Sequence, residues 1–466
     1  MENKSLKFKQ MPEKLELFLC VLMLKFSDIR IERNVKQLIN AIIKGKTTKL
    51  KTISKDTKEY ERFHTVLNGE LKNVLDEAKL NEVMGLSASQ SQSGKYSVFV
   101  VHDESDIRKK DSKKLENLGF VRDLDGKWIR GYSTYNIILI EPDANRIHLF
   151  KSVPYSNADP KFVSKKELKL LNSNKLEDKE RKKEIEFFIE TKNNYNSKSI
   201  CIDSIKEVTA ALRLENKDIV ITHIFDRGFD DTEIFELIDS LGDNFVVRGK
   251  NNRNSNVKKL NEKGNEVFLK LAKKEFENKK EIHYDKIRFK NKTYLNCKGV
   301  YEWDTVMINS FLRSVVRVKF YKRNGGRIFK DDMLLLTNKI VSDLDMANYI
   351  YHIYMQRPKI ESVFKFIKNE LGWEKFQVRD YESIKNIIVL AFFIGAYFYE
   401  IVDKLIDNKY ATWIAELGGG KGKVSLHFFM EGLKVLLLQA HFENFKKEKN
   451  LTQDDIKQAL KMFTLE

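Results

Sequence analysis

Cysteine is scarce in this chain, and its placement argues against two large classes of protein. Of 466 residues only Cys20, Cys201 and Cys297 are cysteine. They are odd in number and far apart, with no C-x-x-C pair and no Cys/His cluster. A disulfide framework and a zinc finger are both disfavoured, and a reducing compartment is expected. Long apolar runs are missing too. The stretch Ile387–Tyr399 is well short of the ~20 residues that span a bilayer and reads as a buried core helix. Leu15–Leu24 is interrupted by Glu16 and has no small-residue cleavage site after it, which argues against a signal peptide. There is no internal repeat. The glycine-rich Gly418–Lys423 lacks a preceding strand and the G-x-x-x-x-G-K-[ST] spacing, so it reads as a flexible basic loop rather than a phosphate loop.

What the chain has in quantity is positive charge. Its 84 Lys and Arg against 67 Asp and Glu give a net charge of +17. On a folded chain such a surplus favours a polyanionic partner, nucleic acid or an acidic membrane face. The chain is folded, because 42% of its residues are hydrophobic and 11% aromatic, well above disordered compositions. At roughly 150 residues per domain the length suggests about three domains.

The pattern changes along the chain. Residues 1–90 read as helices (Lys14–Phe26, Ile31–Ile43, Glu59–Ala78) joined by basic links, with the Lys-rich Lys44–Lys55 among them and the polar linker Ser87–Gly94 after them. From 95 to 248 strands alternate with helices, the pattern of an α/β layer with some parallel pairing. Tyr96–Val101, Tyr132–Ile140, Arg146–Ser152, Asp218–Phe225 and Asn244–Arg248 are the expected strands; Ser204–Leu214 and Asp231–Leu241 are the expected helices. Residues 249–332 are β-rich. One hairpin is expected from Ile282–Phe289 with Tyr294–Trp303, another from Ser314–Lys322 with Arg327–Met333 around Asn324-Gly325-Gly326. Residues 333–375 return to the core, and 376–466 read as helical.

Three acidic positions stand out. Asp103 follows the buried run Tyr96–His102, and Asp226 follows Asp218–Phe225. Carboxylates at the C-terminal ends of core strands project into the crevice where α/β sheets bind ligands, although an Asp after a strand is also an ordinary turn residue or helix cap. The third is Glu361. At about 100° per residue, Tyr354, Arg357, Glu361, Lys365 and Lys368 share an arc of roughly 80°. Ile360, Val363, Phe364, Ile367 and Leu371 form a neighbouring apolar arc that can dock on a sheet. Such a helix presents a carboxylate surrounded by cations and a phenol. The plain alternative is a solvated face with Glu361 and Lys365 paired at i,i+4.

These residues carry a resemblance. D-E-S-D-I-R-K-K from Asp103, Gly131-Tyr132, F-D-R-G-F from Phe225, L-L-T-N ending at Asn338, and Tyr354-x2-Arg357-x3-Glu361-x6-Lys368 occur in family order. Together they resemble a bacterial insertion-sequence transposase of the DDE type, in the branch with a Y-R-E-K signature and a β-rich insertion before the glutamate. The resemblance covers roughly Tyr96 to Phe398, about two thirds of the chain, and its last motif is the most specific. Two departures stand out: Pro358 occupies a position that is usually Trp, and residues 1–90 carry no familiar DNA-binding signature.

The resemblance implies a ribonuclease-H-like catalytic core interrupted by the β-rich insertion and flanked by helical N- and C-terminal regions. It implies that Asp103, Asp226 and Glu361 hold two Mg²⁺ or Mn²⁺ ions, and that Tyr354, Arg357 and Lys368 grip DNA phosphates near the cut. Arg227 and Lys365 are further DNA-contact candidates, and Trp303 is a candidate for pinning an extruded base. The implied partners are double-stranded DNA at element ends and target, and a second copy of the chain; no membrane is involved, and the implied location is the cytoplasm, at the nucleoid. The implied activity is metal-dependent cleavage and strand transfer, with a hairpin intermediate. A catalytically silent DNA-binding relative and a metal-dependent nuclease without strand joining are the alternatives. The chemistry agrees with this set. Two hard ions about 4 Å apart activate an attacking oxygen and stabilise a leaving one, with carboxylates as natural ligands. The lack of Cys and His in the motifs argues against zinc. His102 is expected to face away from Asp103 by strand alternation.

Overall fold

A computed structural model describes residues 28–69, 71, 96–143, 146–170, 179–190, 195–260, 266–289, 292–308, 311–405, 409–450 and 452–455. The expected helix Lys14–Phe26 and the linker Ser87–Gly94 lie outside the described residues. The chain divides into two compact units. One joins residues 1–79, 111–116 and 365–466; the other joins 80–110 and 117–364.

The second unit is built on one large sheet. Its strands are β1 (Ser97–Arg108), β2 (Gly119–Arg122), β3 (Trp128–Glu141), β4 (Arg146–Tyr155), β5 (Val220–Phe225), β6 (Asn244–Arg248), then β9 (Asn278–Phe289), β10 (Lys292–Ile308), β11 (Phe311–Tyr321) and β12 (Met333–Thr337). A separate hairpin pairs β7 (Asn254–Leu260) with β8 (Glu266–Lys270). The order across the large sheet is β2-β3-β1-β5-β6-β12-β11-β10-β9, with β4 also on β3. β1 is antiparallel to β3 and parallel to β5, and β5 is parallel to β6. The β-rich segment after Gly249 thus extends the same sheet through β12.

Helices cover both faces. Ser197–Glu215 and Thr232–Ser240 contribute Ile205, Val208, Leu212, Ile234 and Phe235 to a core with Val98, Val100, Ile137, Phe225 and Val247. Leu344–Tyr354 packs against β5, β6, β10, β11 and β12. Its Tyr351 meets Tyr301 and Phe320, which alternate to the opposite face from the first core. Both faces being buried explains why β1 and β5 read as continuous apolar runs. Gly131 sits where β1, β2 and β3 meet; a Cβ there would stand 2.4 Å from the Ile107 carbonyl oxygen.

Several strand bounds differ from expectation. β1 runs on to Arg108 instead of ending at Val101, because β3 pairs with it through Arg108↔Gly131 although β5 has stopped. Tertiary pairing here overrides the poor strand propensity of D-E-S-D. The turn at Asn324-Gly325-Gly326 forms, with Gly325 at φ +81°. Beside the turn Arg327 makes only an isolated bridge to Tyr321, with the Ile328 N–H donating to the Phe320 carbonyl at 2.9 Å; the continuous return strand is Met333–Thr337 rather than Arg327–Met333.

The first unit is helical and brings together segments distant in sequence. Ile29–Gly45, Thr57–Asn68, Tyr381–Leu405, Lys409–Leu417 and Leu426–Lys449 are its longer helices. Ser383 donates to Asn68 at 2.6 Å, and the Trp373 indole donates to the Ile388 carbonyl at 2.9 Å. The apolar helix Tyr381–Leu405 is the one described helix long and apolar enough to cross a membrane. It is a core helix, with 78% of that window buried. Gly418–Lys423 is a loop, as read from the sequence.

Candidate active site

The parallel register of β1, β5 and β6 builds the centre of the site. Val101 lies opposite Ile224, and Phe225 opposite Val247. Carried two residues further on β1 and one on β5, the register sets Asp103, Asp226 and Arg248 in one row across three adjacent strands. Alternation turns all three toward the face covered by Leu344–Tyr354. Asp226 opens a short 3-10 turn (Arg227–Phe229), and its Oδ1 accepts from the Gly228 amide at 2.7 Å. It is therefore the turn cap that the plain reading expected, while its Oδ2 stays available.

Glu361 arrives on a helix, as expected, but Tyr354 and Arg357 do not share it. Tyr354 is the last residue of Leu344–Tyr354, Arg357 lies in the following turn, and Glu361 sits in the first turn of Pro358–Glu370. The Y-R-E motif spans a helix break rather than one continuous helical arc. Pro358 causes the break: it disfavours helical backbone at Arg357 and has no N–H to donate, yet suits the first position of a new helix.

The break aims Arg357 back at the sheet. Its Nη2 donates to Asp103 Oδ2 at 2.7 Å and lies 3.9 Å from Asp226 Oδ2, while its Nη1 pairs with Glu361. One guanidinium thus touches all three sequence-predicted carboxylates. Their oxygens do not all lie within 4.8 Å of one another, because the guanidinium stands among them. Burial pushes the Asp103 carboxyl up to about 6; the Arg357 cation works against this rise and the Asp226 carboxylate adds to it.

The other candidates fall as follows. Tyr354 is 7% exposed, with Arg248 beside it. Burial raises the Tyr354 pKa, with Arg248 and Arg357 opposing the shift. Arg227 is half-buried in the turn beside Asp226. The Nε atoms of Arg227, Arg248 and Arg357 are buried with no hydrogen-bond partner. Lys365 is exposed one turn beyond Glu361 on the same helix. Lys368 is half-buried and pairs with Glu374 at 3.0 Å. Trp303 does not meet its expectation: it is 3% exposed, inside β10 between Val316 and Asn278 of the flanking strands, so its ring is a core group rather than a base platform.

Three contributors were missed. Arg248 ends an expected strand, but only the strand order makes it a neighbour of Asp226. Glu104 and Asp231 join Asp103, Asp106 and Asp226 around a cavity of about 380 Å³; the sequence signal was the acidic content of D-E-S-D and of the helix cap at Asp231.

Behind β1 lies a buried polar chain. His102 faces away from Asp103, as expected. Its Nε2 is 2.9 Å from His223 Nδ1, and its Nδ1 is 2.8 Å from the Tyr135 hydroxyl. His223 Nε2 donates to Asp243 at 3.1 Å. Burial holds the His102 imidazole well below its usual range. The pair ties β1 to β5 one residue before Asp103 and three before Asp226, which adds a side-chain link to the backbone register.

The donor set suits hard divalent cations: all three acids are oxygen ligands, and the nearby imidazole points elsewhere. Another grouping of metal-ligating side chains, Glu370, His427 and Glu431 in the helical unit, already holds the Lys46 ammonium, paired with both glutamates.

Residues 202–397 match the family model of the transposase DDE domain. The match includes Asp226, Arg248, Tyr354, Arg357 and Glu361, and begins after Asp103. It supports a DDE transposase, an enzyme acting on DNA, and such enzymes generally use divalent metal ions. No curated protein matches the chain.

The raised Asp103 pKa gives a stability test. The unfolded carboxyl loses its proton near its ordinary 3.8 and the folded one near 6, so folding is progressively penalised as pH rises through that window and fully so above it. In chelator, Asp103→Asn should melt above the wild type at pH 7.5, by on the order of 2 kcal/mol of stability, and the difference should shrink toward pH 4. A difference that is flat with pH contradicts this environment for Asp103.

Proposed function

We propose that the chain is a DNA transposase that cuts at the ends of its own mobile element and joins the freed 3′-hydroxyls to target DNA. The observation that carries this reading is the meeting of Asp103, Asp226 and Glu361 at the Arg357 guanidinium. The domain match adds to it. So does the order β4-β3-β1-β5-β6, an antiparallel meander followed by parallel strands, which supports a ribonuclease-H-like core with β7 to β11 as the inserted part and β12 as the return to the core.

In this reading Asp103, Asp226 and Glu361 hold Mg²⁺ or Mn²⁺, with Arg357 leaving them for a phosphate as cations enter. The chemistry supplied by two bound ions is activation of the attacking oxygen and stabilisation of the leaving one. Arg357 and Arg248 offer guanidinium forks that match phosphate oxygens, and their unpartnered Nε donors fit that role. Tyr354 adds a hydroxyl beside Arg248, and Arg227 and Lys365 are further cations for the same strand. The hairpin route rests on the Y-R-E-K resemblance, and the cytoplasmic, nucleoid location follows from acting on DNA in a bacterium.

The test uses duplexes carrying the sequences that flank the coding region. With Mg²⁺ the wild type should cut them, and Asp226→Ala should cut at least a hundredfold more slowly. Equal cutting contradicts the site assignment, and no cutting by either favours a silent DNA-binding relative. Pre-cut 3′-hydroxyl ends incubated with supercoiled plasmid should give joined products; cutting without joining favours a nuclease.

Concerted cutting of two ends calls for a homodimer. Phe428, Leu433, Leu436 and Leu437, apolar at helical spacing in the C-terminal helix, do not form the surface for it: the three leucines are at most 2% exposed and belong to the core. On the same helix Val435, Leu438, Phe442 and Phe445 are 42–49% exposed at 3-4-3 spacing, the repeat of a helix–helix seam. Leu438→Glu with Phe442→Glu should lower the mass of the DNA complex by one protomer in light scattering. An unchanged mass removes this seam.

A further inference from the structure

The ribbon formed by β2 and the start of β3 carries an exposed face that the active site does not use. Phe120 lies directly opposite Arg130, and Arg122 opposite Trp128. Cross-strand partners share a face, so two aromatic rings and two guanidinium groups alternate on one small surface. Phe120 is 55% and Trp128 59% exposed, whereas Val121, on the reverse face, is 3% exposed. The Arg122 guanidinium lies 4.1 Å from the Trp128 ring centroid.

Two large exposed aromatics are unusual without a partner, and here the ribbon is firmly held. The Asn157 amide both accepts from the Phe120 N–H and donates to its carbonyl, each at 2.9 Å. The connecting turn closes on itself, from the Asp123 N–H to the Lys127 carbonyl at 2.8 Å, with Gly126 at φ +83°. The acids at the tip are already engaged, Asp123 with Arg108 and Asp125 with Lys127. Among the described ion pairs neither Arg122 nor Arg130 has a carboxylate.

We infer that this face is a DNA-binding surface that grips the duplex away from the cut, with Trp128 and Phe120 against sugars and Arg122 and Arg130 on phosphates. The inference rests on the transposase reading and adds a contact to it. Duplex DNA is the occupant because cations alternating with open rings suit a sugar–phosphate backbone, the guanidinium groups meeting phosphates and the rings packing on sugars, on a chain with net charge +17. A hydrophobic protein partner would bury two guanidinium charges that have no carboxylate, although Arg122 Nη1 donates to the Gly126 carbonyl at 2.6 Å. Continuity with the site supports the same occupant. β1 carries Asp103, runs to Arg108 opposite Gly131, and Trp128 follows three residues beyond. Eight residues at about 3.3 Å place the ring ~26 Å along the strand direction from Asp103, about eight base pairs at 3.4 Å each.

The experiment titrates the full chain against a fluorescent 40-base-pair duplex of mixed sequence over a range of salt, beside the cleavage assay above. Phe120→Ala with Trp128→Ala should weaken binding at least tenfold with an unchanged salt slope. Arg122→Ala with Arg130→Ala should flatten the slope by about two phosphate contacts. Both pairs lie on an exposed face, and an unchanged melting temperature checks that they fold. If the wild type binds and cuts while both double variants bind as it does, the ribbon inference is overturned and the transposase reading stands. If the wild type neither binds nor cuts any duplex, the transposase reading fails and this inference with it. If the aromatic variant instead splits a DNA-free dimer while binding DNA normally, the face is a contact between copies and the inference is overturned.

Discussion

Three carboxylates cannot gather in a half-buried pocket without a cation, and in this chain the cation is Arg357. Like charges raise one another's pKa and burial adds to the penalty, as the upward shift at Asp103 illustrates. A guanidinium with several donors spreads its charge over all three acids, which one lysine ammonium could not do with the same directionality. The same arrangement gives the site two states. Cation-free, Arg357 ties the acids; with DNA and cations present, its fork is suited to a phosphate.

That interaction needs the acids brought within its reach, and two constraints do so. The first is the parallel register of β1 and β5, reinforced by the buried His102–His223 contact just before the acids. The second is the helix break at Pro358, which starts a new helix with Glu361 in its first turn and Arg357 just ahead of it. A continuous helix would have put Tyr354, Arg357 and Glu361 on one outward stripe. The break instead lets Tyr354 stay buried against Arg248 while Arg357 turns toward Asp103.

Much of this was legible in the sequence. The apolar runs before Asp103 and Asp226 gave two core strands, because strands buried on both faces leave little compositional choice. The turn at Asn324-Gly325-Gly326 was legible because a positive φ at Gly325 is chemically specified. What was hidden depended on which strands are neighbours. Arg248 belongs to the site only because β6 lies beside β5, and β1 continues past Asp103 only because β3 pairs with it. Trp303, a candidate only through the resemblance, is buried because β9 and β11 lie on either side. On the C-terminal helix Leu433, Leu436 and Leu437 face the helical core, and only packing tells which of two apolar stripes is covered. Local chemistry picked out the candidate residues, and tertiary pairing chose their company.

If residues 103, 226 and 361 form one cation-binding centre, each must help to hold the same ion. Mn²⁺ binding followed by electron paramagnetic resonance tests it without DNA or turnover, in the wild type and in Asp103→Asn, Asp226→Asn and Glu361→Gln. The account predicts that each single change weakens Mn²⁺ binding about tenfold or more, since every acid belongs to the same centre. Wild-type affinity in any one of the three would contradict it.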